Sequence, residues 1–213
     1  MMKRTEPATM YQGGICFITD RTISSLSVED QVKAVLDAGI RVIQYREKDF
    51  TRRQIYFQSE SLRKVTAEYK AVLIINDHAD IALAVDADGV HLGQDDLPLK
   101  DARKIMGKKL VGISTHDLEQ AIDAQEGSAD YIGFGPMFHT MTKDAGSPKG
   151  TKMLAEVRKN IQIPIVAIGG IDLENIDKVF KSGADAGAVA SAILKSDDVY
   201  QAAKRFVDAV RGT

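Results

Sequence analysis

The chain has little of what would set it apart from ordinary globular proteins. Its 213 residues include one cysteine, Cys16, which lies inside an apolar run. A single thiol cannot form an intrachain disulfide, so a disulfide-stapled scaffold is excluded, and the composition suits a reducing compartment. A thiol in such a run reads as core packing. Charge is nearly balanced, 28 basic against 30 acidic side chains, for a net of −2. That leaves no footing for a polybasic nucleic-acid surface or a basic membrane anchor. No apolar run approaches the ~18 residues of a membrane span. The first eleven residues are polar and lack the apolar core of a signal peptide. The expectation is a cytoplasmic protein acting on small molecules, without nucleic acid or membrane. No Ser/His/Asp or Cys/His arrangement stands out, and His78, His91, His116 and His139 show no metal-ligand spacing.

What the chain does have is a repeat. Short apolar runs at 15–19, 42–45, 71–75, 89–92, 110–113, 131–134, 165–168 and 186–190 read as strands. Helical periods follow them at 27–38, 53–69, 79–85, 99–106, 118–126, 153–160, 173–181 and 199–210, with Thr51 available to cap the second. Continuously apolar strands alternating with amphipathic helices imply a parallel sheet covered by helices. Eight such units predict an α/β fold: a single-domain (β/α)₈ TIM barrel over 1–213, with 1–12 as an N-terminal extension. A doubly wound open sheet is the alternative.

In such barrels the chemistry sits at the carboxyl ends of the strands, and the polar residues obey that rule. The second run ends in Gln44, Arg46 and Lys48, which share the face of Val42 by strand alternation, whereas Tyr45 and Glu47 face away. The third ends in Asn76 and Asp77, the fourth in His91, Gln94, Asp95 and Asp96, and the fifth in Ser114. The sixth opens a long segment, 136–150, holding Thr140, Thr142 and Lys143. Gly169-Gly170 after the seventh and Ala190-Ser191 after the eighth match the phosphate cradle of these barrels, where backbone N–H groups need side chains out of the way. Asp77 and Asp96 follow neighbouring strands ~4.8 Å apart. They could share one Mg²⁺, which favours one or two carboxylates plus phosphate oxygens. Arg46, Lys48 and Lys143 would face the same anion. The competing reading makes the aspartates helix N-caps, and spacing alone does not separate Asp96 from Asp95.

Gln44-Tyr45-Arg46-Glu47-Lys48, Asn76-Asp77 and His91-Leu92-Gly93-Gln94-Asp95-Asp96 resemble the signatures of the thiamine-phosphate synthase family. So do Gly112 to His116, Gly133 to Pro136, Thr140 to Lys143 and Ile168 to Ile171. The resemblance runs from about residue 15 to the last helix. It implies a transferase that couples 4-amino-2-methyl-5-hydroxymethylpyrimidine diphosphate to a thiazole phosphate, giving thiamine phosphate and diphosphate. It also implies site roles. Gln44, Arg46, Lys48, Asn76, Ser114 and Lys143 would meet the pyrimidine diphosphate, Arg46, Lys48, Lys143 and Ser114 acting in catalysis. Asp77 and Asp96 would hold Mg²⁺, which favours Asp96 over Asp95. Thr140, Thr142, Gly170, Ala190 and Ser191 would take the thiazole phosphate.

The segment 136–150 then reads as a flap over the diphosphate, and His139 departs from the proline more usual before Thr140. A homodimer is the assembly the reading allows for. Three rivals share the barrel. One is a thiazole tautomerase using a histidine, another a sugar-phosphate epimerase or isomerase, and the third a non-catalytic phosphate-binding protein.

Overall fold

Polar residues recur at the ends of the apolar runs because each run is a strand of one closed sheet. A computed structural model describes residues 14–140 and 146–211. The N-terminal extension, Thr142 and Lys143 lie outside the described residues. The strands are β1 (Gly14–Ile18), β2 (Val42–Tyr45), β3 (Val72–Asn76), β4 (Gly89–Leu92), β5 (Leu110–Thr115), β6 (Tyr131–Phe134), β7 (Ile165–Ile168) and β8 (Ala186–Val189). They pair in parallel in chain order, and β8 closes on β1. The helices are α1 (Val28–Asp37), α2 (Arg52–Glu68), α3 (Ala79–Ala84), α4 (Leu99–Met106), α5 (Leu118–Glu126), α6 (Gly150–Asn160), α7 (Ile176–Lys181), α8 (Ser191–Leu194) and α9 (Val199–Arg211). The fold is the expected (β/α)₈ barrel and not an open sheet.

Strand alternation divides the core in two. Cys16, Ile18, Val42, Tyr131, Val166, Ala186 and Ala188 fill the barrel interior. The alternate residues, among them Phe17, Ile43, Tyr45, Ile75, Leu92 and Phe134, pack outward against the helices. Cys16 is buried and its thiol pKa is pushed up to about 12 by burial, so it stays a neutral packing group. No helix among the described residues is long and apolar enough to cross a membrane.

The face opposite the strand ends is pinned three times by one device. Asp88, Asp130 and Asp185 each accept a strand N–H at 2.8 Å, from Leu73, Val111 and Ile165. Each also pairs with an arginine of a helix: Arg63 at 2.6 Å, Arg103 at 2.5 Å and Arg158 at 2.9 Å. These charge-assisted contacts tie α2, α4 and α6 to β3, β5 and β7.

Three departures from the expected elements exceed two residues. Helix α7 starts at Ile176 rather than 173, because Asp172 Oδ1 accepts the N–H groups of Glu174 and Asn175. That local turn competes with the first helical turn. Helix α6 begins at Gly150, earlier than expected. A short helix, α8, follows β8 directly; four residues are too few to show a period. Thr51 caps α2 as expected, in a reciprocal capping box with Gln54.

Candidate active site

The polar end of β2 is held from both sides. Its inward residue Gln44 is 5% exposed, and Arg46 reaches the cleft at the mouth. Buried Thr19, at the end of β1, accepts the Arg46 N–H through Oγ1 at 3.1 Å, and its own N–H donates to Gln44 O at 3.1 Å. On the outer side Glu47 accepts from Arg21 at 2.9 Å and from the N–H groups of Lys48 and Asp49. Tyr45 is packed among the helices. The alternation of faces along β2 is therefore as expected, with Tyr45 packed outward and Gln44 inward.

Lys48 Nζ meets Asp77 Oδ2 at 2.5 Å across the mouth. Asp77 has φ 63°, a left-handed backbone, and its N–H donates to His91 O at 2.8 Å. That bond ties the end of β3 to β4 and aims the carboxylate inward. Asp96 lies beside it, with Oδ2 accepting the Gly93 N–H at 2.6 Å. Burial, with the Asp77 carboxyl against it, holds the Asp96 carboxyl above the usual range. The capping alternative fails, since the cap positions of α3 and α4 are His78 and Pro98. Asp95 is exposed, which separates it from Asp96.

Next along the sheet, Asn76 ends β3 opposite His91. The His91 ring, 7% exposed, lies in the barrel, with Nδ1 3.1 Å from Tyr131 Oη and Nε2 2.9 Å from Ser114 Oγ. Gln94 Nε2 donates to Ser114 O at 2.6 Å. Burial pushes the His91 pKa down to about 4, opposed weakly by Asp77, so the ring is neutral. The unfolded chain binds the proton first, near pH 6.5. This histidine's contribution to stability is thus intact above that pH and lost as pH falls towards 4. The loss levels off at about 3 kcal/mol. Urea melts between pH 7 and 4 should show this, and His91→Asn should flatten that part of the profile.

The remaining strand ends form the other half of the mouth. Gly169 and Gly170 have φ 95° and 66°. With Arg46, Thr140, Ala190 and Ser191 they line an open cleft of about 110 Å³. Phe138 N–H donates to Gly169 O at 3.0 Å and Lys149 N–H to Pro136 O at 2.8 Å, so both ends of the 136–150 segment are stitched to the mouth. Arg46 is common to the two halves, lining the same cleft as the glycines while standing just past the end of β2, two residues before Lys48.

A family model described as thiamine monophosphate synthase matches residues 15–193. The chain belongs to the thiamine monophosphate synthase family. A thiamine-phosphate synthase of Methanosarcina barkeri is 42% identical over 198 residues, covering 92% of this chain and 90% of its own. One from Chloroflexus aurantiacus is 47% identical over 176 residues, 82% of each chain. The solved structure of a thiamine phosphate pyrophosphorylase from Pyrococcus furiosus superposes with a TM-score of 0.89 at 36% identity, covering 96% of this chain and 98% of that one. The activity of this thiamine monophosphate synthase family member is thiamine-phosphate synthesis, a transferase reaction.

Two groups of this family member's site carry little mark of their role in the sequence. Thr19 looked like the last residue of an apolar run, yet it anchors Arg46. Tyr131 opened a strand and read as core, although its hydroxyl meets His91. A signal existed for the second: Gly112 and Gly133 recur at inward positions, and a Cβ at Gly112 would lie 2.1 Å from Tyr131 Cζ.

Proposed function

We propose that the mouth binds 4-amino-2-methyl-5-hydroxymethylpyrimidine diphosphate beside a thiazole phosphate and couples them, releasing diphosphate. The proposal rests on one observation. Lys48, Asp77 and Asp96 meet at the ends of adjacent strands, and Arg46 links that cluster to a glycine-lined cleft. One half suits a diphosphate and the other a phosphate. Gln44 and Asn76 contact the pyrimidine diphosphate with Arg46, Lys48, Ser114 and Lys143. Thr140, Thr142, Gly170, Ala190 and Ser191 take the thiazole phosphate.

The donor set fits Mg²⁺. Two carboxylates lie close enough for burial and mutual repulsion to raise the Asp96 pKa, a pair that calls for a counter-charge. Among the described residues no three His, Cys, Asp or Glu side chains form a metal cage. Two carboxylates completed by substrate oxygens are what Mg²⁺ prefers. Asp77 and Asp96 would hold the ion, which when bound supplies positive charge to the diphosphate oxygens.

The chain's own part in the chemistry is electrostatic. The bond between the pyrimidine's methylene carbon and the diphosphate oxygen breaks, the electron pair leaving with the diphosphate. The electron-rich ring stabilises the cation, and the thiazole nitrogen captures it. Arg46, Lys48 and Lys143 receive the growing negative charge, each such contact being worth about 3 kcal/mol by analogy with oxyanion-hole donors. No protein nucleophile or strong base is required. An assay with both precursors, with and without Mg²⁺, is the test. Diphosphate release that needs both the metal and the thiazole partner is expected. Isomerisation of a thiazole alone, or phosphate binding without turnover, would overturn the proposal in favour of the tautomerase or binding-protein rival.

A further inference from the structure

The interior of the barrel below the mouth carries a polar chain of which the coupling chemistry uses only the outermost member, Ser114. Tyr131 Oη, the His91 ring and Ser114 Oγ lie in line, with contacts of 3.1 and 2.9 Å. Tyr131 and His91 are 3% and 7% exposed. The surrounding sequence makes room for both rings. A Cβ at Gly112 would collide with the Tyr131 ring, and one at Gly133 would come within 3.0 Å of His91 Cε1. Gln94 and the β5–β6 pairing fix the Ser114 backbone above them.

We propose that Tyr131 and His91 are positioning residues that fix the direction of the Ser114 hydroxyl, making it a donor toward the mouth. A neutral imidazole has one N–H and one acceptor nitrogen, and the partners decide which is which. A phenol is the stronger donor and an imidazole nitrogen the stronger acceptor, so the Tyr131 O–H donates to Nδ1. The ring proton then resides on Nε2 and is donated to Ser114 Oγ. With its oxygen already accepting from below, Ser114 directs its own O–H outward, where a substrate oxygen can accept it. The opposite tautomer would have Ser114 donate downward to Nε2 and offer the mouth only lone pairs, which repel an anion. No proton is transferred along the chain; the arrangement selects one of two hydrogen-bond directions. It rests on the proposed contact between Ser114 and the pyrimidine diphosphate.

The test pairs a spectroscopic readout with kinetics. In protein labelled with ¹⁵N-histidine, the His91 ring should show a protonated Nε2 and a bare Nδ1, and Tyr131→Phe should weaken that preference. Tyr131→Phe should lower kcat about tenfold, the worth of roughly one neutral hydrogen bond, while KM for the pyrimidine diphosphate changes less. In a Ser114→Ala background the same substitution should have almost no further effect, which a merely structural role would not produce. Thermal melts keep folding separate, and Gly133→Ala, which crowds His91 without touching Tyr131, should reproduce the signature. A wild-type ring protonated on Nδ1 overturns the relay alone. An undiminished Tyr131→Phe loss in the Ser114→Ala background overturns its action through Ser114. Wild-type turnover in Ser114→Ala removes the substrate contact itself, and the relay's purpose with it.

Discussion

Asp77→Asn is expected to lower turnover roughly 10²–10³-fold while the barrel stays folded. Asparagine is the substitution that isolates the charge. Asp77 sits at φ 63°, a region that asparagine tolerates and that costs most other residues about 1–2 kcal/mol. The N–H bond to His91 O at 2.8 Å belongs to the backbone and survives. What disappears is one negative charge between Lys48 and Asp96. Lys48 loses its 2.5 Å partner, and Asp96 loses the carboxyl neighbour with which it is proposed to hold the divalent cation. Calorimetry with Mg²⁺ should therefore show weakened binding in the variant, and raising the Mg²⁺ concentration should recover only part of the rate. Asp95→Asn, on an exposed neighbour of the site, should behave as wild type. Near-normal turnover in Asp77→Asn at ordinary Mg²⁺ would remove Asp77 from the proposed metal site.

The strand ends were the most legible part of the site, for a geometric reason. A barrel strand is short and continuously apolar, so the first polar residues after it mark the mouth whatever their type. The period of two placed Gln44, Arg46 and Lys48 on one face; the strand itself stops at Tyr45, but Arg46 lines the mouth cleft and Lys48 meets Asp77 across it. All eight expected helices appear, their ends shifted by at most three residues. The late start of α7 escaped notice because the Asp172–Asn175 turn forms by side-chain bonds to the backbone, which leave no mark on apolar periodicity. Helix α8 is too short to have a period. The buried chain from Tyr131 to Ser114 was hidden for another reason: its members are 40 and 23 residues apart, and only closure of the sheet brings β4, β5 and β6 side by side. His91 alone reads as a core histidine; its meaning comes from two neighbours in space. Spacing alone left Asp95 and Asp96 open; the resemblance favoured Asp96, and the fold agrees, with Asp95 exposed and Asp96 turned back onto the Gly93 N–H.

Gly170→Ala is the complementary substitution, directed at the other half of the mouth. Gly170 has φ 66°, and a Cβ there would lie 2.5 Å from His139 O and 2.8 Å from Phe138 Cβ. Both contacts belong to the segment that leads to Thr140, and Phe138 is already tied to Gly169 by its N–H. The chain cannot retreat the other way either, since Asn175 Nδ2 donates to Gly170 O at 2.9 Å. The substitution therefore combines left-handed strain of about 1–2 kcal/mol with a forced shift of the cradle backbone. A phosphate hydrogen-bonded by backbone N–H groups loses about 1.5–3 kcal/mol for each charged contact displaced, or roughly 10–100-fold in affinity. The expected result is a thiazole phosphate dissociation constant raised by that factor, with binding of the pyrimidine diphosphate little changed. Gly107→Ala separates the two causes. Gly107 also has positive φ, 57°, but nothing lies within 4 Å of a Cβ there. It follows α4 at the far face of the barrel, so its replacement should lower the melting temperature without altering either affinity. If Gly170→Ala merely destabilised the protein in the same way and left thiazole phosphate binding untouched, the phosphate would have to bind elsewhere on the mouth.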